Sequence, residues 1–168
     1  MQGKRKTSLN MKKNLAIALL LVIALVGCKS KSVTNTKLDN KTEVALKGNW
    51  IISSVNFPGS DYFKVNSFQI ADSKCFIGSQ WKLVSNNNKG EMALTNASCA
   101  SFESPVTWYV NKEGNFVMKV LNAGEKAKKV KEGYILRIAN VTESSFQLID
   151  KIDIGGKLTE VVYQFNRN

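Results

Sequence analysis

From Leu46 onward the chain is a succession of short segments that alternate apolar with polar residues, each closed by a turn signal. The first, through Trp50 to Phe57, ends at Pro58-Gly59, and Ser79–Val84 turns through Asn86-Asn87-Asn88-Lys89-Gly90 into Glu91–Leu94. Val106–Val110 turns at Asn111 to Asn115 into Phe116–Leu121, and Tyr134–Val141, Phe146–Ile152 and Leu158–Phe165 complete the series. Period-two alternation puts successive side chains on opposite faces, so each segment is a strand with one buried side, and no stretch carries the 3.6-residue period of a helix. Only Ser60 to Cys75 breaks the rhythm; it reads as a short helix or covering loop with Phe63, Val65, Phe68 and Ile70 as apolar pegs.

Eight antiparallel strands joined as successive hairpins predict an all-β fold, an eight-stranded up-and-down barrel in preference to a sandwich. Trp50, Ile52, Trp81, Leu83, Trp108, Val110, Phe116, Met118, Leu136, Ile138, Phe146, Leu148, Val161, Tyr163 and Phe165 are expected to point inward. The interior of such a barrel is filled by side chains or holds one small ligand, and the pattern leaves both open.

The N-terminal part has another character. Lys12 and Lys13 precede an unbroken apolar run from Leu15 to Val26, too short for the roughly 20 residues of a spanning helix but suited to a secretion signal. The run closes on Leu25-Val26-Gly27-Cys28, which resembles the lipobox of bacterial lipoproteins. That resemblance implies cleavage before Cys28, a diacylglycerol on its sulfur and membrane attachment through acyl chains. Met11 would itself make a typical start. Residues 29 to 44 are polar and read as a flexible tether. The expected organisation is therefore a signal peptide over 1–27, a lipidated N-terminus and tether over 28–44, and a barrel domain over 45–168.

Removing the signal also resolves the charge. The whole chain carries +11, but 19 basic and 13 acidic residues remain after Cys28, a balance of +6. Those lysines are scattered through turns, and no nucleic-acid partner is expected. With Cys28 assigned to lipid, Cys75 and Cys99 form an even pair in an oxidising compartment; a disulfide is expected, with two buried thiols as the alternative. No metal site is expected, since the sequence has no histidine and two thiolates leave a zinc shell incomplete.

Gly48-Asn49-Trp50 on the first strand resembles the Gly-X-Trp opening of lipocalin-like proteins, and the domain from Leu46 to Arg167 is similar to the lipocalin-like lipoproteins of Bacteroidetes. The matching features are the segment Cys75 to Trp81, Asn88-Lys89-Gly90, Cys99, Lys126-Ala127-Lys128-Lys129-Val130 before Gly133-Tyr134, and the ending Val162 to Arg167. The resemblance implies a barrel whose narrow end is closed by Trp50, with Arg167 or Arg137 stacked across it. The Thr-Asp-Tyr-like corner of true lipocalins is not evident.

Chemistry is sparse. No histidine is present to shuttle protons, the serines lack a nucleophile-elbow pattern, and Asp150 and Asp153 fall on opposite faces of a strand as solvated charges near a turn. Neither an enzyme nor a cofactor is expected. Trp81, Trp108, Met118, Leu136 and Phe146 are the candidates to line a pocket for a small hydrophobic ligand. Lys126, Lys128, Lys129 and Lys131 are read as a solvated hairpin tip. The expected function is non-catalytic binding of a small hydrophobic ligand by a lipid-anchored protein of the cell envelope, at the outer membrane. The alternative is an accessory lipoprotein with a filled barrel that meets a partner protein, which the sequence does not identify.

Overall fold

The computed structural model describes residues 40–59, 62–122 and 124–168. The predicted signal peptide, Cys28 and most of the tether lie outside the described residues. The first element is a short helix, α1 (Asn40–Leu46), which takes in the last residues of the segment read as a tether. Glu43 in its first turn suits the positive end of the helix dipole.

Strand β1 (Gly48–Asn56) follows at once. A two-stranded ribbon of β2 (Asn66–Ser67) and β3 (Ala71–Asp72) and a 3₁₀ turn (Ser73–Phe76) fill the connection to β4 (Gln80–Val84). The chain then meanders through β5 (Lys89–Leu94), β6 (Phe102–Val110), β7 (Asn115–Val120), β8 (Tyr134–Ala139), β9 (Ser145–Ile154) and β10 (Lys157–Arg167). Strands β4 to β10 pair in order, and β1 lies between β10 and β4, so the sheet is a closed eight-stranded up-and-down barrel. Closure leaves no free sheet edge at either side.

Closure depends on β1 serving two neighbours. Gly48–Ile51 pairs with Gln80–Leu83 of β4, while the strand pairs with β10 along most of its length. The register against β10 slips between Ile52 and Ser54, a bulge at Ser53. Bulges bend and twist a strand, and past this one β1 follows β10 alone toward the long connections. One seam is short. Strands β8 and β9 pair only from Arg137–Ala139 against Gln147–Ile149, although β9 continues to Ile154 against β10.

The alternation read from the sequence is the alternation of burial. Fourteen of the fifteen residues expected inward are at most 3% exposed, and Ile138 is half-buried. Among the expected pegs, Val65 and Phe68 are buried, but Phe63 is 58% exposed, because the chain turns outward at Pro58-Gly59 and the Phe63 N–H bonds back to the Gly59 carbonyl.

Candidate functional site

The two ends of the barrel are built differently. At one end α1 lies across the opening. Leu46 is fully buried, its carbonyl accepts a hydrogen bond from the Trp50 indole N–H at 2.8 Å, and the buried Glu43 carboxylate accepts the Val110 main-chain N–H at 2.9 Å. Arg167 covers the outside, its guanidinium carbon 4.4 Å from the centre of the Trp50 ring and its Nε donating to the Glu143 carbonyl at 2.8 Å. Gly48 explains the small residue two places before the tryptophan. A Cβ there would stand 2.7 Å from Arg167 Nη1, and the backbone φ of +140° is one that side-chain-bearing residues rarely adopt. Arg137, the other arginine considered for this position, lies on the outer wall with Glu160 at 3.1 Å.

The middle of the barrel is packed solid around aromatic rings. Phe146 stacks on Phe165 at 4.5 Å between centroids and meets the Trp50 ring edge-on at 4.7 Å; Trp108 stacks on Phe116 at 5.4 Å; Trp81 abuts Phe165 at 5.6 Å. Such pairs add about 0.5–1.5 kcal/mol each beyond the area they bury. The indole N–H groups are satisfied, Trp81 by Ser79 Oγ at 2.9 Å and Trp108 by the Lys89 carbonyl at 3.0 Å. Trp81, Trp108, Met118, Leu136 and Phe146 are thus at most 3% exposed and spent on contacts with other side chains.

The opposite end is a mouth, roofed by two segments. The β2–β3 ribbon reverses through Ser67-Phe68-Gln69-Ile70, with the Ile70 N–H on the Ser67 carbonyl at 3.0 Å and φ of +53° and +55° at Phe68 and Gln69. The loop between the paired Ser67 and Ala71 has three residues, and the first two, Phe68 and Gln69, hold left-handed backbone that residues with bulky side chains rarely adopt, so the turn is strained. What holds it is the Phe68 ring, driven inward against Phe76, Tyr134 and Tyr163 at 5.2, 5.1 and 5.3 Å. Two phenols pin the same turn. Tyr134 donates to the Phe68 carbonyl at 2.6 Å, and the Tyr163 hydroxyl bonds the Ser67 hydroxyl at 2.6 Å. Behind the turn Cys75 is bonded to Cys99, with Cα atoms 5.8 Å apart, which ties the ribbon's base to the β5–β6 connection. Among the described residues the buried Ser73 Oγ finds no hydrogen-bond partner.

The second roof segment is the basic connection after β7. Lys126, Lys128, Lys129 and Lys131 are exposed, as expected of a solvated tip, and the connection is fastened to the wall by the Lys119 ammonium, which donates to the Ala127 and Val130 carbonyls at 3.2 and 2.8 Å. Between the two roofs lies a cleft of about 530 Å³ with Phe68, Ile70, Phe102, Val120 and Tyr134 on its apolar walls and Lys129, Lys131 and Glu132 at its rim. None of the five residues put forward from sequence as a ligand pocket lines it. Another cleft, of about 740 Å³, lies along β1, β4, β5 and β6, with Trp50, Trp81 and Met92 among its lining residues beside Gln80, Lys82, Glu91 and Glu103; of the five sequence candidates, Trp81 alone lines it.

Asp150 and Asp153 have separate fates. Asp153 accepts the Gly156 N–H at 2.6 Å in the β9–β10 turn, as a turn carboxylate does. Asp150 faces the other way, opposite the fully buried Val161, and burial raises its carboxyl above the usual range. It was read from sequence as a solvated charge; pairing with an inward residue of β10 makes it an inward one. Burial raises the Tyr134 and Tyr163 phenols too, with a smaller contribution from the charge of Asp150.

Among the described residues no group of three or more His, Cys, Asp or Glu side chains converges as a metal site would require, and no helix is long and apolar enough to cross a membrane. No family model and no curated protein matches the sequence. Among solved structures the chain is similar to one titled Odorant Binding Protein OBP1, with a TM-score of 0.44 and 10% identity over 80% of this chain and 77% of that one. A likeness at that level assigns no function to this barrel.

Proposed function

We propose that this protein is a lipid-anchored, lipocalin-like module of the cell envelope that binds a small hydrophobic molecule non-covalently at the mouth of its barrel. The observation that carries the reading is the cleft of about 530 Å³ between the two roof segments, where Phe68, Ile70, Phe102, Val120 and Tyr134 meet a polar lining that includes Gln69, Asn122, Glu125 and Glu132. That volume falls within the roughly 300–1,000 Å³ of small-molecule sites. Phe68 is the device that makes the site adjustable. It is buried in aromatic contacts yet borne on a strained turn of a two-residue ribbon, so an apolar ligand can take over its contacts while the turn relaxes. The chain enters the barrel at its sealed end, through α1.

The test is native mass spectrometry of the protein extracted from membranes, alongside titration with the fluorescent apolar probe N-phenyl-1-naphthylamine. A reproducible co-purifying mass and saturable one-to-one binding of the probe are expected, with tighter binding by Phe68→Ala. Absence of saturable binding by both the natural protein and Phe68→Ala would refute the reading. Anchoring is tested separately, by incorporation of labelled palmitate that is lost in Cys28→Ser.

A second reading has its own observation. The solid aromatic packing around Trp108 and Phe146 suits an accessory lipoprotein whose barrel is only a scaffold and whose surface meets a partner protein. The probe titration separates the two, since a scaffold binds no probe at the mouth.

A further inference from the structure

The two ends of the barrel differ in what they show to solvent. Among the described residues seven large apolar side chains are exposed, and five of them, Tyr62, Phe63, Ile77, Ile135 and Leu158, lie on the mouth half; Val44 and Val141 lie at the sealed end, in one cleft with Arg167. Single exposed apolar residues are ordinary, but Tyr62 at 88% and Leu158 at 70% are held out by the fold. The Tyr62 and Phe63 N–H groups both donate to the Gly59 carbonyl, at 2.9 and 3.0 Å, which sets the pair on a closed turn. Leu158 rides the β9–β10 hairpin, which runs past the last β1 pair, Asn56–Val162, as far as Ile154–Lys157 and so stands beyond the wall on that side.

Charge follows the same direction. In the mouth connections 57–79, 95–101 and 121–133 and the hairpin tip 151–158, eight lysines stand against Asp61, Asp72, Glu125, Glu132 and Asp153, a balance of +3, with Asp150 behind them facing inward. The sealed end has Lys41, Lys47, Lys112 and Arg167 against Glu43, Glu113 and Glu143, a balance of +1. All eight mouth lysines are exposed, and Lys126, Lys128, Lys129 and Lys131 are in no ion pair among the described residues. Three of the acids fold back on their own turns: Asp72 accepts the Lys74 N–H, Glu125 the Asn122 N–H and Asp153 the Gly156 N–H. The acids thus sit close to the main chain while the lysines reach outward.

We infer that the mouth rim is a docking surface for a lipid bilayer with anionic headgroups, in which Tyr62, Phe63 and Leu158 enter the interfacial layer and the rim lysines meet lipid phosphates. Tyrosine settles at headgroup level because its ring is apolar and its tip polar. Lysine stems lie along apolar surface while their ammonium groups reach the phosphates, an attraction that acts within a Debye length of the membrane. Strands β7, β8, β9, β10 and β1 are consecutive around the barrel, so the lysine-rich connection, the hairpin tip and the Tyr62 turn are neighbours along the rim. They are separate projections. A fluid bilayer can meet all three at once, where a rigid protein partner would need a surface shaped to each. The docking surface stands whether or not the cleft takes a ligand; on the mouth reading proposed above, it lets an apolar molecule pass between bilayer and cleft without entering water.

The test is paramagnetic relaxation of main-chain amide signals in the full-length protein, reconstituted into nanodiscs whose lipids carry nitroxide headgroups. One set is phosphatidylcholine alone and the other includes phosphatidylglycerol. With phosphatidylglycerol, Tyr62, Phe63 and Leu158 are expected to relax several-fold faster than Val44 and Val141. The mouth enhancement should fall several-fold in phosphatidylcholine alone, in Lys126→Gln/Lys128→Gln/Lys157→Gln, and in Tyr62→Ser/Phe63→Ser/Leu158→Ser. All six substituted side chains are exposed, and unchanged amide positions in β6 and β7 verify that each variant folds. Equal relaxation at the two ends, or more at Val44 and Val141, overturns the docking surface. A mouth enhancement that is the same in both lipids and in the lysine variant overturns the pairing with anionic heads. The mouth reading fails separately, by the probe titration of the cleft.

Discussion

Replacing Phe68 by alanine tests whether the ribbon over the mouth is a lid held by a peg. The ring is 6% exposed and meets three other aromatic rings at about 5 Å. Burying a phenylalanine side chain is worth about 2–3 kcal/mol by area, and each ring pair adds about 0.5–1.5 kcal/mol. Summed at face value these exceed the roughly 3–5 kcal/mol that phenylalanine-to-alanine changes cost in closed cores. A ribbon at a barrel mouth can settle into part of the gap, so the expected loss is about 3 kcal/mol, near 10 °C in Tm for a domain of this size. Urea denaturation with the disulfide intact measures it. Amide exchange locates it. The Ile70 and Ser73 N–H groups, bonded to Ser67 and Val65 carbonyls, should exchange much faster in the variant, while those of β6 and β7 keep their order of protection. A loss below about 1 kcal/mol, against the roughly 3 kcal/mol minimum for a core phenylalanine, or unchanged exchange at Ile70, would refute the peg.

Gln69→Gly should act in the opposite sense: a left-handed residue costs about 1–2 kcal/mol, glycine loses about 0.4–1 kcal/mol of that through the unfolded chain, and a net gain of about 0.5–1 kcal/mol is expected in urea titration. Asp150→Asn should stabilise the protein at neutral pH. Because burial raises the carboxyl's pKa in the fold, its favourable, protonated state is present below the unfolded value near 3.9 and is lost as pH rises through the folded value. The variant's advantage in thermal melts should therefore shrink as the pH is lowered toward 4 and vanish below it; an advantage that grows toward acid would contradict the sign. Changing Cys75 and Cys99 together to serine, or adding reductant, should cost about 3.5 kcal/mol on the chain-entropy account of a bond that spans 24 positions. Arg167→Ala should remove about 1–2 kcal/mol from the cation–π contact and the Glu143 bond together and shift the Trp50 fluorescence. An unchanged melt would show that the guanidinium merely rests there.

The strands were legible because side-chain alternation is a local property of the chain. Trp108 and Val110, or Phe146 and Leu148, announce an inward face whatever lies across from them. The boundaries were less legible where one residue argued against its surroundings. The strand expected from Val106 starts at Phe102 and runs through Pro105, a residue that lacks the N–H a central strand ordinarily uses. The disulfide followed from counting cysteines.

The mouth was not legible, and the reason is physical. Whether an inward aromatic residue packs or binds depends on the level of the barrel it occupies, and level is set by register between strands far apart in sequence. Trp108 and Phe146 landed in the filled middle, while Phe68, in a stretch without periodicity, became the roof. Asp150 shows the same division. Its sequence neighbours suggested a solvated turn, yet its pairing with Val161, eleven positions away, turned the carboxylate into the barrel. The sequence by itself determined that this chain closes into a barrel of eight strands with one apolar face. Only the tertiary structure decided which end is sealed, which is roofed, and which side chains stand at the opening, because those are facts of register and closure rather than of local pattern.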